Sequence, residues 1–168
     1  MFTITRSANN PIISPTKERP WEATATFNWC PVKDGKTIHA VYRAMPDMEL
    51  LKEPHIRTSI IARATSKDGE KFTDRLPFIF PEEDFEKYGC EDPRVTKIGN
   101  TYYIFYTALS TYPFSADGIK VAVALSDDMK TVKEKHLVTP WNAKAMTLFP
   151  EKINGKYAIL HSISPRVL

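Results

Sequence analysis

Cysteine, glycine and long apolar runs are all scarce in this chain of 168 residues, and each shortage excludes something. Two cysteines, Cys30 and Cys90, are too few for a disulfide framework and do not form a zinc pattern. The four histidines, His39, His55, His136 and His161, also lack metal-ligand spacing, so neither a metal nor another cofactor is expected. No apolar stretch reaches the roughly 18 residues that would cross a bilayer. The opening residues, MFTITRSANNPIISP, lack the apolar core of a signal peptide. No membrane association is expected, and a cytoplasmic location follows as the default. An excess of one charge is missing too: 23 basic and 20 acidic residues leave a net charge of +3, dispersed along the chain. That is no footprint for nucleic acid. The glycine-rich loops that cradle nucleotide phosphates are absent, which leaves nucleotide chemistry unsupported.

What the chain does have is 42% hydrophobic residues and 13 prolines against six glycines, the mark of many short segments joined by turns. It also repeats itself. VKDGKTIHAVYRA (32–44), TKIGNTYYIFYTA (96–108) and EKINGKYAILHSI (151–163) share one plan. Each has an aliphatic approach, a two-residue turn, and a run rich in β-branched and aromatic residues. The turns expected are Asp34-Gly35, Gly99-Asn100 and Asn154-Gly155, dipeptides that accept the positive φ of tight hairpins. ARATSKDGEKF (62–72) and AVALSDDMKTV (122–132) then repeat a strand, Ser-x-Asp, a turn and an apolar residue, with Ser66 and Ser126 in matching places. PEEDFEKYG (81–89) reads as a helical turn or two.

Each unit runs about sixty residues and holds about four antiparallel strands, the anatomy of a β-propeller blade. The fold expected is all-β, a β-propeller catalytic domain over 1–168 of which about half to three blades are present. A blade must bury its face against the next one. Propellers close with about four blades or more, so this chain reads as the N-terminal part of a longer protein. Alone it would expose blade faces and be inactive or strongly associated, and a homo-oligomer is compatible with those faces. A complete small β-sandwich is the competing reading.

Gly89-Cys90-Glu91-Asp92-Pro93-Arg94 is a compact polar cluster just before the most apolar hairpin. Loops that enter innermost propeller strands line the central cavity, so Asp92 falls at its mouth. Pro93 biases Asp92 toward extended backbone. A carboxyl in a partly desolvated pocket gains a raised pKa and acts as a general acid. Arg94 pulls the other way, or binds substrate. An Asp-Pro turn with a surface ion pair is the plainer reading. Asn28 precedes the first hairpin as Asp92 precedes the second. Arg43 lies at the far end of the first, where the later repeats carry Thr107 and Ser162. Trp21, Trp29 and Trp141 are core residues or sugar-stacking faces, and Trp29, beside Asn28, is the best stacking candidate. Cys30 and Cys90 read as buried thiols that could be close in space.

NPIISP, PWEATATFN, VYRA, ATSKDG, CEDPRVTKIGNTYYIFYTA and LFPEKINGKYAILH together resemble glycoside hydrolase family 130, in the right order over nearly the whole chain. The resemblance implies a five-bladed propeller longer than this chain. It implies inverting cleavage of β-mannosidic bonds in manno-oligosaccharides, by phosphorolysis to mannose 1-phosphate or by hydrolysis. It also puts the catalytic acid on Asp92 and sugar contacts on Asn28 and Arg43. A phosphorylase needs one acid only, because inorganic phosphate is the nucleophile. That removes the usual second carboxylate. Lys144 fills one phosphate-donor place, as a point charge rather than a fork. Where the family has an arginine after Leu-His, this chain has Ser162, with Arg166 four residues on. That departure keeps hydrolysis as a rival, and a non-catalytic carbohydrate-binding propeller fragment is a third reading.

Overall fold

The computed structural model describes residues 3–47 and 58–163. Ten strands form three antiparallel sheets. The first blade joins β1 (Ala25–Asp34), β2 (Thr37–Met45), β3 (Ile60–Ser66) and β4 (Thr73–Ile79) in sequential order. The second repeats that order with β5 (Cys90–Ile98), β6 (Thr101–Leu109), β7 (Ile119–Ser126) and β8 (Glu134–Leu137). A third sheet pairs β9 (Ala143–Leu148) with β10 (Ile159–Ile163). The inner strands β1, β5 and β9 adjoin in series. This is a radial array of meander sheets, not a two-sheet sandwich. Among the described residues no helix is long and apolar enough to cross a membrane.

The turn chemistry explains the registers. Gly99-Asn100 and Asn154-Gly155 form two-residue loops as expected. Asn154 and Gly155 both have positive φ (53° and 77°), the type I′ pattern. The first turn lies one residue later than expected: Asp34 pairs with Thr37, and the loop is Gly35-Lys36. Gly35 takes φ +57° at the first loop position, as Gly99 does with +60°. Asp34 stays on the strand, where its carboxylate accepts hydrogen bonds from Lys97 and Tyr102 of the second blade.

The Ser-x-Asp elements are matching turns. Ser66 Oγ accepts from the amide of Gly69 at 2.9 Å, and Ser126 Oγ from that of Met129 at 3.0 Å. Amides of Lys71 and Glu70 hold the Asp68 carboxyl down at about 2. Gly69 has φ +81° and Met129 has φ +56°. Met129 is fully buried, so its side chain offsets the cost of that backbone with core contacts. Segment 81–89 contains one 3-10 turn, Asp84–Glu86, closed by a Glu83/Glu86 capping box.

The first two sheets bury apolar residues on both faces, as stacking requires. Val41, Ile61 and Ile79 of the first blade pack on Tyr102, Ile104 and Met129 of the second. Phe105 and Val123, on the opposite face of the second blade, pack on Met146 and Leu148 of the third. The other face of the first blade, with Tyr42 and Ala62, is covered by Ile13, Trp21 and Phe72.

Met129→Ala removes a fully buried side chain at a left-handed position. It is expected to cost about 2–5 kcal/mol, the range for Met→Ala in a core, read from the midpoint shift in urea unfolding.

Candidate active site

Each inner strand carries a β-bulge at the same place. In β1 it lies between Phe27, opposite Arg43, and Cys30, opposite Val41. In β5 it lies between Glu91, opposite Thr107, and Arg94, opposite Phe105. In the third sheet the register shifts between the pairs Lys144–Ser162 and Thr147–Leu160. One residue per bulge is left-handed: Asn28 (φ 52°), Asp92 (φ 51°) and Ala145 (φ 57°). Asn and Asp tolerate this backbone better than most residues. The extended conformation expected of Asp92 from Pro93 is therefore overturned: the bulge outweighs the preference set by the following proline.

Stacking the blades brings these bulges together. Asn28 Nδ2 donates to Asp92 Oδ1 at 2.6 Å, across 64 positions of sequence. Arg43 Nη2 lies 2.5 Å from Glu91 Oε1, and Nη1 lies 3.7 Å from Asp92 Oδ1. Lys144 Nζ donates to Glu91 Oε2 at 3.0 Å and lies 3.3 Å from Asp92 Oδ2. The Arg43 guanidinium also rests on the Phe27 ring, 4.7 Å from its centroid. The side chains of Glu91, Asp92 and Arg43 are 9%, 12% and 17% exposed, while Lys144 reaches solvent at 41%. Two groups here, Arg43 Nε and Thr107 Oγ1, are buried without a hydrogen-bond partner among the described residues.

The cluster sets the Asp92 carboxyl in the direction opposite to the raised value expected. Desolvation pushes it up, but the hydrogen bond from Asn28 and the charges of Lys144 and Arg43 outweigh that and hold it below the usual carboxylate range. Burial disfavours charge on Lys144, yet Glu91 and Asp92 more than compensate and raise its pKa.

The predicted site residues divide. Asn28, Arg43, Asp92 and Lys144 come together. Arg94 turns onto the carbonyl of Pro93, to which Nη1 donates at 2.7 Å, and the ion pairs of Asp92 come from Arg43 and Lys144 instead. Trp29 lies on the blade face, edge-on to Phe72 at 5.8 Å, beside a cavity of about 220 Å³ also lined by Asn10, Ile13 and Tyr42. Ser162 sits opposite Lys144 and donates to its carbonyl. Arg166 and His55 lie outside the described residues. Cys30 Sγ accepts from the Val95 amide, while Cys90 is fully buried with Sγ directed at Glu86; both are free thiols. Glu91 had no assigned role in the sequence, yet it holds both cations. The available signal was a carboxylate at a repeat position where the other blades carry Phe27 and Lys144.

Four-stranded meanders set side by side, with a charged cluster where their inner strands converge, define the chain as part of a β-propeller with an axial polar site. Within that class it belongs to glycoside hydrolase family 130: the family model, described as beta-1,4-mannooligosaccharide phosphorylase, matches residues 5–167. The chain is 37% identical, over 99% of its length, to a beta-1,2-mannobiose phosphorylase of Thermoanaerobacter, and covers 57% of that protein. It is 35% identical, again over 99% of its length, to a 1,2-beta-oligomannan phosphorylase of the same organism, and covers 56% of it. A solved glycosyl hydrolase from Bacteroides ovatus is 26% identical with a TM-score of 0.72, over 93% of this chain and 52% of that one. The chain thus spans about half the length of the relatives it matches.

Glu91→Gln takes the carboxylate from between two cations. Truncating one partner of a buried charge pair costs several kcal/mol, and Asp92 remains to share Arg43, so a loss of roughly 2–3 kcal/mol in urea unfolding is expected.

Proposed function

We propose that the protein containing this chain cleaves β-mannosidic bonds with inversion, by phosphorolysis, releasing mannose 1-phosphate. The observation that carries this reading is the Asp92 carboxyl held by Asn28 between Arg43 and Lys144. In this mechanism Asp92 protonates the leaving oxygen, directly or through a substrate hydroxyl. Asn28 and Arg43 hold the glycone. Inorganic phosphate attacks the anomeric carbon from the opposite face, and Lys144 is among its donors. The C–O bond to the leaving sugar breaks, a C–O bond to phosphate forms, and the proton of Asp92 goes to the leaving oxygen. The domain 1–168 supplies the acid and part of the phosphate site.

The depressed pKa of Asp92 fits this sequence of events. An acid held ionised by neighbouring cations is a poor proton donor until something neutralises them. A phosphate arriving at Lys144 adds negative charge beside Asp92, which favours its protonated form. The nucleophile thereby arms the acid. The relatives' names support a mannoside substrate, and two of them specify β-1,2 linkages.

Hydrolysis is the second reading, favoured by one observation: the strand position opposite Lys144 holds Ser162, not a cation. Water would then replace phosphate, with a carboxylate base supplied from elsewhere.

The deciding assay gives the full-length gene product β-1,2- and β-1,4-linked manno-disaccharides, with and without inorganic phosphate. Mannose 1-phosphate formed only with phosphate is expected, and its loss in Asp92→Asn by about 10²-fold or more, as for a general acid. Free mannose regardless of phosphate selects the hydrolase, and no turnover of either linkage sends the reading back to a binding module. For the arming of Asp92, the alkaline limb of the rate profile is expected at higher pH with saturating than with limiting phosphate. An unmoved limb rejects the coupling.

A further inference from the structure

A buried carboxylate–tyrosine–cation group recurs beneath the two bulges that carry polar side chains. In the second blade Tyr106 donates its hydroxyl to Glu86 Oε2, and Lys135 Nζ donates to Glu86 Oε1 at 2.7 Å. Glu86 Oε1 also accepts the Glu82 amide at 3.1 Å, and the Cys90 thiol lies 3.5 Å from Oε2. In the first blade Tyr42 donates to Glu22 Oε2 at 2.8 Å, and Arg75 Nη2 lies 2.7 Å from Glu22 Oε1. Both glutamates are completely buried, and both tyrosines nearly so.

The placement matches in every respect. Each glutamate ends a 3-10 turn, Pro20–Glu22 or Asp84–Glu86, shortly before the inner strand begins. Each tyrosine is the one residue of the second strand that the bulge straddles: Tyr42 lies between Val41 and Arg43, and Tyr106 between Phe105 and Thr107. Each cation comes from the outermost strand, β4 or β8. The group therefore ties the segment leading into the inner strand to the centre and the outer edge of its own blade.

We propose that Tyr106–Glu86–Lys135 is a positioning device that locks the bulge presenting Asp92, and that Tyr42–Glu22–Arg75 does the same for Asn28. The inference rests on the reading of Asp92 as the acid. A buried ion pair is weak evidence for stability, since apolar residues of similar volume often serve as well, so its recurrence calls for a geometric role. Register is what needs defending. A slip of one residue in β5 would turn Asp92 away from the axis and bring a neighbour in.

The test uses the full-length gene product and the variants Tyr106→Phe, Glu86→Gln, Lys135→Met and Lys135→Arg. It reads kcat and KM for mannobiose phosphorolysis, and alkylation of Cys90 by iodoacetamide under native conditions, located by peptide mass mapping. Tyr106→Phe and Glu86→Gln are expected to lower kcat about tenfold to a hundredfold, as misplacement of a reacting group does. KM should move less than about threefold, and Cys90 labelling should rise as the bulge loosens. Lys135→Arg, which copies the first blade, should recover activity relative to Lys135→Met. A folded Tyr106→Phe with wild-type kcat and a protected Cys90 overturns the proposal. So does a kcat loss that vanishes once corrected for the folded fraction. If Tyr106→Phe does not fold, Glu86→Gln, which keeps volume and one acceptor, decides by the same criteria. If the wild type turns over no mannoside, the proposed function fails instead. Cys90 labelling then decides this inference alone: increased labelling upholds it and unchanged protection ends it.

Discussion

A four-stranded sheet with apolar residues on both faces cannot cover itself. In the first blade Val41 and Ile61 point one way while Tyr42 and Ala62 point the other, and all four are buried. Such a sheet must lie between neighbours, and that requirement organises everything else. Burying Val41 against Ile104 and Met129 brings β1 alongside β5. Burying Phe105 against Met146 brings β5 alongside β9. The inner strands start near one another as a consequence, and whatever projects from their bulges meets at the axis. The contact of Asn28 with Asp92 and those of Lys144 with Glu91 and Asp92 all cross from one blade to the next.

Electrostatics then decides what can remain there. Glu91 and Asp92 are adjacent acids, both mostly buried, which would repel each other if alone. Arg43 and Lys144 each reach both carboxylates, so two cations bridge two anions and the cluster is nearly neutral. Glu91 has the closer contacts and keeps the cations at the axis. Asp92 has the longer ones and the bond from Asn28. An added anion would compete with both carboxylates for the same cations, and the proposed role of Asp92 draws on its being the more loosely paired of the two.

Much of this was legible in the residues. The dipeptides Gly99-Asn100 and Asn154-Gly155, and the paired Ser66 and Ser126, gave the blade period because turn chemistry is local. Asn28 and Asp92 stood out because each preceded a hairpin at the same repeat position. What the residues concealed was set by tertiary pairing. Asp34 reads as a turn residue until Lys97 and Tyr102, both from the next blade, claim its carboxylate. Pro93 argues for an extended Asp92, and only the register across to Thr107 and Phe105 forces the left-handed bulge. Trp29 adjoins Asn28 in sequence, yet its ring packs edge-on against Phe72 and lines a cavity with Phe27, while Asn28 bonds to Asp92. Glu91 offers only the weak signal of a carboxylate where the other blades carry Phe27 and Lys144, and its place between Arg43 and Lys144 is set by tertiary packing.

The left-handed residues show how the scaffold separates form from function. Such a backbone costs a non-glycine residue roughly 1–2 kcal/mol. Gly69 accepts it freely, and Met129 at the matching turn repays it by filling the core. At the bulges the same conformation recurs with Asn28, Asp92 and Ala145, three side chains of different chemistry. Ala145 gains nothing from a hydrogen bond or a charge, yet it takes the same φ. The bulge is therefore a property of how a blade begins, imposed by the pairing of its first two strands, and not of the residue that occupies it. A repeated backbone delivers one such position per blade, and the side chain placed there is the variable: an amide, a carboxyl or a methyl group.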